Sequence, residues 1–137
     1  MKGFKIVVSG KGGRAGQKEL TPKESEMLLG TKIGQKISGS TIGFEGYELE
    51  VCGGSDTSGF PMKKGLHAIT VVPLLVSGGT GYRPKTKGIK DRKRVRGERV
   101  TEDLSQINLK VIKEGSKKFE EYFPAKEKAP AEEQKAA

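Results

Sequence analysis

Apolar residues along the chain fall in short alternating runs separated by glycine. Phe4, Ile6 and Val8 alternate with Lys5 and Val7, a period of two that predicts a half-buried strand over residues 4–8. The GKGGRAG stretch at 10–16 breaks any regular element. Thr21 is then placed to cap a helix, Pro22 suits its first turn, and Glu24 completes a capping box. With Met27 and Leu28 supplying part of an apolar face and Gly30 able to close it, a helix is expected over residues 22–29. Ile33, Ile37 and Ile42 lie among glycines and serines, the pattern of a short strand and a turn.

Tyr47, Leu49 and Val51 alternate with glutamates, which predicts a strand with one wet face over 47–52. GGSDTSGFP (53–61) reads as a loop. AITVVPLLV (68–76) is β-branched and apolar, with Pro73 marking an edge or a bulge. Leu109 and Val111 alternate with Asn108 and Lys110 in a last strand over 107–113, and residues 117–123 are expected as a short helix. From Pro124 onward apolar content is too low to support order. Five or six short strands and one good helix make a small mainly-β domain, built as a barrel or a strongly bent sheet. The domain is expected over residues 1–115, with a short helix and a tail over 116–137.

Composition sharpens this picture in two places. Twenty glycines among 137 residues, about twice the usual share of roughly 7%, favour tight turns and short strands over long helices. Lys and Arg number 26 against 17 Asp and Glu, a net charge of +9, and residues 82–99 alone carry +7 of it. The single Cys52 cannot form an internal disulfide, and no apolar stretch approaches the roughly 20 residues that cross a bilayer. A soluble protein of a reducing compartment is the expectation, with no membrane partner.

The segment 82–99, YRPKTKGIKDRKRVRGER, contains Arg83, Lys85, Lys87, Lys90, Arg92, Lys93, Arg94, Arg96 and Arg99. Like charges this close repel unless phosphates or counterions neutralise them. Only Asp91 and Glu98 lie within the run to pair with nine cations. Arginine forks suit bidentate phosphate contacts, and Tyr82 adds an aromatic face beside Arg83. The run is therefore expected to bind nucleic acid. Neutralising Arg92, Lys93, Arg94 and Arg96 together is expected to weaken binding while leaving the domain folded.

Other motifs carry less. Gly10, Gly12 and Ala15 match a relaxed dinucleotide pattern, but the capped helix starts only at Pro22, so the glycines do not open it. A turn whose Lys11 and Arg14 brush an RNA backbone is the better reading. His67 and Cys52 cannot by themselves supply the four ligands of a structural zinc site. Ser55, Asp56 and His67 have the letters of a triad without a nucleophile elbow, and Ser55 and Asp56 are expected to hydrogen-bond their own turn. No enzymatic reaction, cofactor or small-molecule substrate is expected.

GGSDTSGFPMKKG (53–65), the YRP turn at 82–84, the basic run and LSQINLKVIKEG (104–115) occur in an order that resembles the small-subunit ribosomal protein six family of archaea and eukaryotes. The short chain looks archaeal. The resemblance implies a β-barrel-like domain on small-subunit ribosomal RNA, in a cytoplasmic ribosome, beside other small-subunit proteins. It implies that Arg83, Lys85, Lys87, Arg92, Lys93, Arg94 and Arg96 face RNA. Phe60, Pro61, Met62 and Lys63 carry the family's loop, whose Lys63 and Lys64 are expected to join the contact. Eukaryotic members carry a long basic helix ending in serines that kinases modify. Here Ser116 is the only serine after Gly115, so that regulation is not carried over.

Overall fold

The structure, a computed structural model, describes residues 3–123. The tail expected to lack order from Pro124 lies outside the described residues. The alternating runs become the centre of a five-stranded sheet. Strand β1 (Lys5–Ser9) buries Ile6 and Val8 and leaves Lys5 and Ser9 exposed. An antiparallel partner, β2 (Ala15–Glu19), follows through a tight turn in which Gly12 and Gly13 both adopt a φ of 77°. The capping box forms as expected: Thr21 N–H donates to Glu24 Oε2 at 2.9 Å, and Thr21 Oγ1 accepts from Glu24 N–H at 3.5 Å. Helix α1 (Pro22–Leu28) buries Leu28, whereas Met27 points to solvent and is no part of the apolar face. Gly30, with a φ of 81°, closes the helix as the sequence predicts.

β3 (Lys36–Ser38) leads through a 3-10 turn to β4 (Glu48–Asp56), and the ten-residue β7 (Leu104–Lys113) runs through the middle of the sheet. The strand order is β2-β1-β7-β4-β3, with β1 parallel to β7 and the other pairs antiparallel. Leu49, Val51, Ile107, Leu109 and Val111 join Phe4, Ile6 and Val8 in one core, each 3% exposed or less. Burying an aliphatic or aromatic side chain of this size contributes roughly 1.5–3 kcal/mol before conformational entropy is charged against it.

The sheet does not close into a barrel. β2 pairs only with β1 and β3 only with β4, so both remain edges. Leu28 of α1, Ile42 and Phe44 of the 39–47 turn, and Phe119 instead pack with the sheet's apolar residues in one core. A barrel needs strands long and apolar enough to pair on both sides, and neither the three-residue β3 nor AGQKE of β2 qualifies. The mainly-β class stands without that closure.

The glycine-rich segments are more regular than their composition predicts. The GKGGRAG stretch forms an ordered hairpin, closed by Gly10 N–H donating to the Arg14 carbonyl at 2.7 Å. Arg14 is held by Glu120 at 2.7 Å. Gly16 lies against the Phe123 ring, where a Cβ would collide. Residues 53–56, expected as loop, continue β4 past a bulge at Cys52, which has no partner in the register. A side chain at Gly54 would run into the Gln106 carbonyl. The last helix, α2 (Phe119–Tyr122), is one turn long and carries Phe119 into the core. Tyr122 packs tilted against Phe44 and Phe123 stacks on it, at centroid distances of 4.7 and 5.6 Å.

Candidate nucleic-acid interface

A third of the basic run is strand. β5 (Val71–Val76) and β6 (Asp91–Arg96) form a separate antiparallel hairpin in the register Val71↔Arg96, Val72↔Val95, Pro73↔Arg94, Leu74↔Lys93, Leu75↔Arg92 and Val76↔Asp91. Because β5 has one neighbour only, Pro73 costs no ladder bond on its open side. The second half of the 82–99 run, whose charge density announces no regular element, is thus built on a paired strand.

Strand alternation sorts the cations. Arg92 and Arg94 share a face with Pro73 and Leu75, and all four are exposed. Lys93 and Val95 point the other way, toward residues 77–89, and Val95 is fully buried. Arg83, Lys85, Lys87 and Lys90 line the exposed connection between the strands. Among the described residues, these four and Arg92, Arg94 and Arg99 form no ion pair, whereas Lys93 pairs with Asp91 at 3.5 Å.

The hairpin is fastened to the sheet by the family loop. Arg96 N–H donates to the Pro61 carbonyl at 2.8 Å, and Lys63 N–H donates to the Arg96 carbonyl at 2.9 Å. Lys63 and Lys64 therefore stand at the end of β6, distant from it in sequence but beside it in space. Lys32, bridged to Arg99, joins the same end. Nothing in TKIGQK marks Lys32 as a member of this surface, so sequence reasoning missed it.

Arg96 departs from the expectation. Its side chain is 4% exposed and meets Asp56 Oδ2 and Asp103 Oδ2 at 3.3 Å each. It also donates to the Ile69 carbonyl at 3.3 Å and to Thr101 Oγ1. The RNA-facing role expected for Arg96 is corrected on this ground: its partners come from outside the run, and they leave the guanidinium inside the fold. Asp56 in turn accepts from Ser58 N–H at 2.8 Å and Phe60 N–H at 2.9 Å, the turn-stabilising role its position predicts.

Glu98 is the second buried anchor of the run. It accepts from Gly65 N–H at 3.0 Å and from His67 Nδ1 at 2.9 Å. The Gly65 hydrogen bond, aided by the charges of His67 and Lys32 and opposed by burial, holds its carboxyl below the usual glutamate range. The folded chain therefore keeps Glu98 ionised to lower pH than the unfolded chain does. Its contribution to stability is full above the ordinary glutamate range and is lost as pH falls through that range to the depressed value. Glu98→Gln is expected to flatten the acid limb of a plot of urea midpoint against pH. Parallel limbs for both proteins would show that Glu98 contributes nothing to it.

Among the described residues there is no group of three or more His, Cys, Asp or Glu placed to hold a metal, and no helix is long and apolar enough to cross a membrane. The fold and its surface define a small, basic, mainly-β binding protein. The chain belongs to the ribosomal protein S6e family, whose model matches residues 4–124. It is 45% identical to the small ribosomal subunit protein eS6 of Methanothermobacter thermautotrophicus over 124 residues, covering 90% of this chain and 98% of the relative. The protein of that name from Archaeoglobus fulgidus is 44% identical, with the same coverages. That of Methanosphaera stadtmanae is 41% identical over 94% of this chain and 98% of the relative. The family read from the loop, the YRP turn and the basic run is therefore the right one, and its archaeal character fits these relatives.

Proposed function

We infer that the chain is a structural constituent of the small ribosomal subunit in the cytoplasm and that it binds small-subunit ribosomal RNA through its β5–β6 hairpin. The phosphate contacts fall to Arg83, Lys85, Lys87, Lys90, Arg92, Arg94 and Arg99, with Lys63, Lys64 and Lys93 at the margins. Neighbouring small-subunit proteins complete its surroundings. A ribosomal protein of this kind is a structural component and catalyses no reaction.

The observation that carries this reading is the set of exposed cations without carboxylate partners on one hairpin, in a chain whose family is ribosomal. Such a surface is destabilised by self-repulsion when free and is relieved when phosphates replace its counterions. The test is mass spectrometry of purified subunits from the source cells. The chain is expected in stoichiometric amount on the small subunit. Its absence there, or equal recovery on both subunits, would overturn the assignment.

A further inference from the structure

The face of β6 turned away from Arg92 and Arg94 forms a recess whose aromatic ring, apolar side chain and carboxylate the phosphate-binding role does not use. Tyr82, Arg83, Lys85, Ile89, Asp91 and Lys93 enclose an open space of about 410 Å³, within the roughly 300–1,000 Å³ typical of small-ligand sites. The walls differ in chemistry. The half-buried Tyr82 ring stands on one side, with Lys93 Nζ 5.7 Å from its centroid. Ile89, 45% exposed, offers an apolar surface that has no packing partner in the core. Arg83 and Lys85 also line the recess and carry no ion pair among the described residues. Tyr82 is held by a bridge to Gly79, its N–H donating to the Gly79 carbonyl at 3.2 Å, in a turn where Gly79 and Gly81 both take positive φ. The aromatic wall is thus positioned by backbone.

The polar groups form an ordered pair. Lys93 Nζ lies 3.5 Å from Asp91 Oδ2, and both side chains are about half exposed, so each keeps capacity for a further partner. Asp91 Oδ1 already accepts from Arg92 N–H at 2.8 Å. A donor beside a carboxylate acceptor is complementary to an edge that reads acceptor, donor, donor. Among the four bases only guanine has that edge, in O6, N1–H and N2–H₂. Adenine and cytosine place an acceptor next to their amino group, and uracil flanks its single donor with two acceptors.

We propose that this recess receives one unpaired guanosine of the bound RNA, its base against Tyr82 and Ile89, its edge on Lys93 and Asp91, and its phosphates on Arg83 and Lys85. The proposal rests on the RNA-binding reading above and adds to it a position at which sequence is read. Single-stranded or bulged nucleotides are the usual targets of sequence readout in RNA, because their edges and faces are free.

The test measures binding of the full chain, at one salt concentration, to four versions of a short RNA hairpin: fully paired, or carrying a single bulged guanosine, inosine or uridine. The guanosine bulge is expected to bind about ten-fold or more tighter than the paired hairpin, the gain from one base stacked on an aromatic ring. Inosine, which lacks the N2 amino group, should fall between guanosine and uridine. Tyr82→Leu should collapse the ratio of bulged to paired affinity toward one, and Tyr82→Phe should restore it. Asp91→Asn should equalise guanosine and uridine. Equal affinity of the wild-type chain for all four RNAs, or a guanosine preference that survives both Tyr82→Leu and Asp91→Asn, would overturn the recess while leaving the phosphate surface intact. Failure to bind any of them would overturn the RNA-binding reading itself.

Discussion

Replacing Arg96 by methionine is expected to cost about 3 kcal/mol of folding stability, whereas Arg94→Met should stay within about 0.5 kcal/mol of the parent. Breaking a buried ion pair by removing one partner typically costs about 3–5 kcal/mol, because the other charge is left in the interior. Here the abandoned group is Asp56, whose side chain is 4% exposed. Two backbone N–H donors, from Ser58 and Phe60, would still hold its other oxygen, which places the cost at the lower end of that range. Asp103 loses little, since its side chain is 77% exposed and solvent replaces the guanidinium. Adding Asp56→Asn to Arg96→Met should recover part of the loss, because the stranded charge goes with it. Urea unfolding of the parent, both single variants and the double variant gives the answer. If Arg96→Met is as stable as Arg94→Met, the buried network is not what anchors the hairpin.

This changes the meaning of any experiment on the basic run. A variant neutralised at Arg92, Lys93, Arg94 and Arg96 together, expected from sequence to stay folded, carries one substitution inside the fold. Its loss of RNA binding would not separate a missing contact from a loosened domain. The sequence hides this because Arg96 is chemically identical to its neighbours. Its partners, Asp56 and Asp103, lie 40 residues before it and 7 after it. Within the run only Asp91 and Glu98 are available to pair, and Arg96 meets neither.

Elements with a local cause were legible. The Thr21–Glu24 capping box, the positive φ at Gly30 and the alternation in β1, β4 and β7 each depend on residues within a turn or two of one another, and each is found. Elements whose cause is tertiary were not. AGQKE has no apolar alternation to announce β2, which exists because the β1 backbone beside it needs partners. GGSD lacks strand propensity yet extends β4, since β7 offers an edge and glycine tolerates the close approach of Gln106. The barrel expectation failed for the same reason: counting strands says nothing of whether the end ones meet. The candidate interface divides likewise. Its charge density was plain in the sequence, but the strand that sorts Arg92 and Arg94 from Lys93, and the loop that brings Lys63 and Lys64 alongside, are properties of the fold.

Neutralising Arg83, Lys85, Lys87, Arg92 and Arg94, five of the seven exposed cations of this surface, to glutamine should remove most of the salt dependence of RNA binding without unfolding the chain. About six phosphate contacts by this surface would give a slope near −5 in a plot of log affinity against log salt, and roughly a thousand-fold loss of affinity between 50 and 200 mM. Each contact removed should shallow the slope by about one, so the five-site variant should retain a slope near −1 and lose only a few-fold over the same range. Net charge alone predicts something else. A control that removes five exposed cations elsewhere, Lys11, Lys23, Lys36, Lys110 and Lys118, lowers the overall charge by the same amount and leaves the hairpin untouched. Long-range attraction beyond about a Debye length, roughly 14 Å at 50 mM falling to roughly 7 Å at 200 mM, is largely screened, so the control should keep most of the slope. Equal losses in the two variants would mean that the chain binds RNA by its total charge, and the hairpin would cease to be a site. A steep slope that persists in the five-site variant would move the phosphate contacts to another face of the domain.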